Sequence, residues 1–274
     1  MLESMEVVSN QGSLLILPLE DVVSGYLLEE VRGLDPVKAT ITSSSFAQID
    51  GGQYQSSRRE ARNIIVTITL EPEYGVSTVR QLRRDLYNYF MPKTEVGLRF
   101  YSSDMNPAWI SGRVESLETA LFSAEPAVDI SILCFNPDFY EPVPIAMTGN
   151  TYESTGTDLE IDYTGSVETG LAFTLNVNRT LSTFSVYVVD PAGSTSQLDF
   201  SAPLQAGDVV EISTVPGNKY ARLTRGGVIT SILYGISPQS KWLEIHPGES
   251  TLRVQTPGAA IPYSIEYIRK HGGL

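Results

Sequence analysis

The sequence holds one cysteine, Cys134, and only two histidines, His246 and His271. A single cysteine excludes an intrachain disulfide, and with two separated histidines it offers none of the spacings of a zinc site. Cys134 lies in an apolar stretch, where a thiol acts as a small buried hydrophobe, so it reads as core. A Ser-His-Asp arrangement would depend on His246, which precedes Pro247-Gly248 at a strand-to-turn junction, and no Gly-x-Ser-x-Gly elbow occurs. His271 stands in the Gly-rich segment Arg269-Lys270-His271-Gly272-Gly273, where a frayed terminus is the expectation. Gly51-Gly52 and Gly226-Gly227 lack the lysine or third glycine of a nucleotide loop and read as turns. These gaps point away from an enzyme and imply no cofactor and no metal.

Long apolar runs are missing too. Runs such as residues 14–17 and 64–66 fall far below the roughly 20 residues that span a bilayer, so no membrane insertion is expected. The opening Met1-Leu2-Glu3-Ser4-Met5-Glu6 is acidic and lacks the basic and apolar regions of a secretory signal, which fits synthesis in a cytoplasm. Basic residues are scarce: 19 against 32 acidic give a net charge of −13, which opposes a grip on nucleic acid phosphates. A negative wall past which DNA slides without sticking is compatible with that charge. The acid pairs Asp158 with Glu160 and Asp162 with Glu168 could serve a glycosidase, but so many acids make chance pairs unavoidable, and they read as solvated faces and turns.

The chain has enough apolar material, 42% of 274 residues, to build cores, and its length suits two domains. Residues 14–70 are strand-like. Ile64, Val66, Ile68 and Leu70 alternate with Ile65, Thr67 and Thr69, which predicts a strand with one buried and one mixed face. One helix is predicted over residues 76–90, where Val79, Leu82, Leu86 and Tyr89 recur at helical spacing, with Ser77 as its N-cap. Asn136, Pro137, Asp138, Pro142, Pro144 and Gly149 crowd a boundary, cut at 145, so that domains of residues 1–145 and 146–274 are expected. Beyond it only short strands recur, at 171–177, 183–189, 209–213, 220–224 and 264–268, separated by Gly- and Pro-containing turns: a β-sandwich pattern.

The densest basic feature, Arg58, Arg59 and Arg62, reads as an exposed loop entering a strand, an island that could pair with acidic surfaces of a neighbouring copy. Trp242, Tyr234 and Tyr263 could each stack on a sugar, but each sits among apolar neighbours and reads as core.

The order of features resembles the distal tail (Dit) proteins of long-tailed bacteriophages, the siphovirus tail and baseplate component family. In the first half it is carried by residues 26–36, with the Gly33-Leu34 turn and Asp35-Pro36, then Asp50-Gly51 before Arg58, Arg59 and Arg62, then the helix and the strands near 96–101 and 109–115. The stretch Cys134-Phe135-Asn136-Pro137-Asp138-Phe139-Tyr140 resembles the family's exit to its second domain. In the second half Gly207-Asp208 before a strand, Tyr220-Ala221-Arg222-Leu223, and Leu243 and Leu252 flanking Pro247-Gly248 carry it; Glu249 stands where the family often has asparagine.

The resemblance implies a mainly β chain: an α+β, split-barrel-like, ring-forming N-terminal domain with one helix, and a galectin-like β-sandwich. It implies a structural protein of the virion tail tip, a hexameric ring of copies of itself joining the tail tube protein to the hub and receptor-binding proteins, with DNA passing through without specific binding. Residues 43–62, including Arg58, Arg59 and Arg62, are expected at the subunit interface. Alternatives are a carbohydrate-binding adhesin module taking part in host attachment, an acid-pair glycosidase, or a hub or tape-associated protein of the same superfamily.

Overall fold

A computed structural model describes residues 2–45, 50–120 and 126–274 of the chain. It divides into two compact units, one comprising Met1–Pro142 with His271–Leu274 and the other Val143–Lys270. The division falls just before the cut drawn at 145, and the last four residues return to the first unit instead of ending in the second.

The first unit runs through strands β1 (Leu2–Ser9), β2 (Leu14–Pro18), β3 (Val22–Val23), β4 (Tyr26–Arg32), β5 (Ala39–Ser44), β6 (Gln53–Arg59) and β7 (Arg62–Leu70). Helix α1 (Val79–Phe90) follows, then β8 (Glu95–Ser102), β9 (Met105–Thr119), β10 (Ala127–Cys134) and β11 (Phe139–Tyr140). An antiparallel sheet has the order β2-β1-β8-β9-β10-β7-β4-β3, with β11 on β9. A bridge from Leu19 to Leu28 carries the β2 end back to β4, so the sheet curls on itself. Alternate residues of each strand then point inward, among them Met5, Val7, Ile64, Val66, Ile68, Leu98, Ile110, Ile130 and Ile132, all buried. Cys134 belongs to the same core, and burial pushes its thiol up to about 11.

Helix α1 lays Leu82, Leu86 and Phe90, four residues apart, on this core. Its N-cap is Thr78 rather than Ser77: Thr78 accepts from the Gln81 amide while the Gln81 side chain accepts from the Thr78 amide. Capping from Ser77 would place Arg80, which has no acceptor, where the reciprocal bond needs one. Ser77 instead accepts from the Glu73 amide in the turn before the helix.

The second unit contains β12 (Ile145–Asn150), β13 (Leu159–Tyr163), β14 (Thr169–Asn176), β15 (Leu181–Val189), β16 (Thr195–Leu204), β17 (Val209–Ser213), β18 (Tyr220–Arg225), β19 (Val228–Ser231), β20 (Glu244–Ile245), β21 (Gly248–Gln255) and β22 (Pro262–Tyr267). Two antiparallel sheets form, in the orders β12-β22-β14-β17-β18-β19 and β13-β21-β15-β16, with β20 paired to β14. They enclose one core, in which Phe173 and Tyr263 of the first sheet meet Phe184 and Phe200 of the second. The ring centroids lie 5.7 Å apart for Phe173 and Tyr263, 5.9 Å for Phe173 and Phe184, and 4.7 Å for Phe184 and Phe200.

The turn before β17 shows what Gly207-Asp208 does. Gly207 has φ +91°, and Asp208 Oδ2 accepts from the Gln205 amide at 2.7 Å. The buried Asp208 carboxylate also receives Arg225 through Nε and Nη2 at 2.8 and 2.6 Å. Gly248, at φ +107°, opens β21 in the Pro247-Gly248 turn, with Leu243 and Leu252 buried on either side.

Candidate assembly interface

Strands β5 and β6 pair only with each other among the described residues, with Ala39 opposite Arg59 and Thr40 opposite Arg58. Nearly every residue of this hairpin is exposed, and its apolar side chains Ile41 and Tyr54 are 66% and 63% exposed. Thr40 bonds Glu60, Tyr54 Oη meets Ser57 Oγ at 2.8 Å, and the Glu60 amide donates to the Lys38 carbonyl at 3.0 Å. A two-stranded ribbon without a sheet or core behind it is marginal in water. Its open edge and exposed Ile41 and Tyr54 are the features that a partner's strand or apolar surface would cover. Within residues 43–62, the stretch 46–49 lies outside the described residues.

The structure separates the three arginines. Arg58, the residue before the last of β6, is exposed to solvent. Arg59 pairs with the buried carboxylate of Asp138. Arg62 is 1% exposed, so this residue is not part of an exposed loop. It opens β7 on the inward face shared with Ile64, Val66 and Ile68.

Its guanidinium donates from Nε to Pro137 O at 2.8 Å, from Nη1 to Gly33 O and Asp35 O at 2.6 and 2.7 Å, and from Nη2 to Gly272 O at 2.5 Å. Its Cζ sits 4.4 Å from the Phe139 ring centroid. Desolvation by burial draws the Arg62 pKa below its ordinary value. Gly33 has φ +89°, and a Cβ there would lie 2.1 Å from the Asn63 carbonyl oxygen, so only glycine lets the 33–35 turn come this close. Arg59 and Arg62 thus fasten the segment Pro137-Asp138-Phe139 and the Gly33 turn beside the root of the hairpin.

Tyr263 is buried and Trp242 is packed against the second core, with the Lys219 Nζ 5.3 Å from its ring. Tyr234 departs from the sequence reading: it is 78% exposed, because it lies on the short turn Leu233–Gly235 that carries the chain outside the sheet. Of the acids, Asp158 receives Arg253 at 2.8 Å and also bonds Tyr152. The Arg253 bond holds its carboxyl below the usual carboxylate range, the opposite of what a general acid needs. Glu160, Asp162 and Glu168 are exposed.

Residues 164–271 match the family described as siphovirus-type tail component, C-terminal domain. Nothing among curated proteins matches. The structure is similar to that of the Dit protein of phage SPP1, described as a paradigm of the hub adsorption apparatus in phages infecting Gram-positive bacteria. That likeness has TM-score 0.69 at 18% identity and covers 97% of this chain and 98% of the other. A chain of the phage P2 baseplate in its activated conformation with calcium follows, with TM-score 0.50 at 11% identity and all of both chains covered. Residues 164–271 therefore match the C-terminal domain of siphovirus-type tail components, and the chain as a whole is similar in fold to distal tail proteins of siphoviruses.

Proposed function

We propose that this chain is a structural, non-enzymatic component of a phage tail tip, six copies of which form a ring through the first unit. The observation that carries this reading is the β5–β6 hairpin, which exposes both faces and a free edge. Each hairpin adds to the neighbouring copy in a head-to-tail contact that closes on itself, with Arg58 against an acidic surface of that neighbour. The ring joins the tail tube protein to the hub and receptor-binding proteins. The net charge of −13 supports a passage through which DNA moves without adhering.

The purified chain, weighed by light scattering and imaged by negative stain, is expected to give sixfold rings. Ile41→Asp combined with Tyr54→Asp is expected to reduce the mass to one chain without lowering the melting temperature. A wild-type chain that stays single at high concentration, or rings that survive the double substitution, would overturn the reading.

A further inference from the structure

The second unit holds a groove of about 590 Å³ on the outward face of the β21-β15-β16 sheet. Thr183 and Ser185 of β15, Asp199 and Ser201 of β16 and Gln255 of β21 line it, and the exposed Tyr234 stands at its rim. The cross-strand register aligns Thr183 with Ser201, and Ser185 with both Asp199 and Gln255, so that hydroxyl, carboxylate and amide groups form one continuous polar row. Asp199 Oδ1 accepts from Ser185 Oγ at 2.5 Å and Gln197 Nε2 at 2.7 Å, which fixes the carboxylate in the groove lining.

The rim is held in place. The Ser237 amide donates to Asp199 O and the Lys241 amide to Gln197 O, each at 2.9 Å. A Cβ at Gly235 would lie 2.6 Å from the Phe200 ring, so glycine lets this segment rest directly on the core. Tyr234 is thereby presented on a fixed turn with its ring in water.

We propose that this groove binds a neutral saccharide, one hexopyranose face stacking on Tyr234 and its hydroxyls bonding Asp199, Ser185, Thr183, Ser201 and Gln255. A pyranose carries apolar C–H groups on its face and hydroxyls at its edge, and the groove offers an exposed ring beside a polar row. The charges in the lining are the carboxylates of Asp199 and Glu153, with no lysine or arginine, which disfavours phosphate, sulfate or uronate ligands. The polar row disfavours a purely apolar ligand.

The test is saturation-transfer NMR on the full chain with millimolar oligosaccharides of glucose, galactose, rhamnose and N-acetylglucosamine, beside a sulfated and a uronate-containing glycan. Positive signals are then titrated against Tyr234→Ala and Asp199→Asn. Expected is transfer to at least one neutral glycan, weakened about tenfold or more by Tyr234→Ala at unchanged melting temperature, and reduced by Asp199→Asn. No transfer to any neutral glycan, equal binding by Tyr234→Ala, or preference for the sulfated or uronate glycan overturns the proposal. The groove lies within one unit of one chain, so a failed ring assay leaves this test intact.

Discussion

Arg62 places a guanidinium where water does not reach, and its four hydrogen bonds to carbonyl oxygens explain how the fold tolerates it. Arg62→Ala would leave those carbonyls without this donor and the Phe139 ring without its cation. The expected loss is about 3–5 kcal/mol, read by urea denaturation. Arg62→Lys, a point donor that cannot span the carbonyls around a planar fork, should recover only part of it.

Asp158 and Asp208 make a different prediction. Both carboxyls lie below their ordinary 3.8, chiefly because Arg253 and Arg225 bond the ionised form. Unfolded, each binds its proton first as pH falls, so the stability they give is complete above about 3.8 and lost below it, through the lowered folded values. Melting temperature should drop steeply below pH 3.8, and Asp208→Asn should flatten that drop while lowering stability at neutral pH.

At the scale of elements, the Thr78 cap identifies which hydroxyl matters. Thr78→Ala should cost about 1 kcal/mol and Ser77→Ala much less, as chemical denaturation of the two variants would report. Much of the element pattern was legible in the sequence: alternation at Ile64, Val66 and Ile68 marked β7, and helical spacing of Leu82 and Leu86 marked α1. The cap was missed because Ser77 and Thr78 are equivalent by type, and only the residue three positions on distinguishes them. Arg62 was misplaced because its charge outweighed its parity, although two-residue steps back from Ile64 lead to it on the buried face. Tyr234 was misread because its apolar sequence neighbours leave the sheet with it. The hairpin's isolation could not be read from sequence, because strand character does not say whether a strand has a third partner.

Across the whole molecule, every copy would bring a charge of −13 to the ring proposed above. Copies therefore repel at low ionic strength, where the screening length is ~30 Å at 0.01 M, and much less at 0.15 M, where it is ~8 Å. The ring fraction measured by light scattering should rise over that range; a fall would mean that pairs such as Arg58 with an acidic neighbour dominate.

The Arg62 bond to Gly272 joins residues 210 apart in the chain. During synthesis the strands of the first unit leave the ribosome well before Gly272 does, so the unit made first is the last to be completed. Its guanidinium must wait, hydrated, for a carbonyl that arrives only after the entire second unit has been translated.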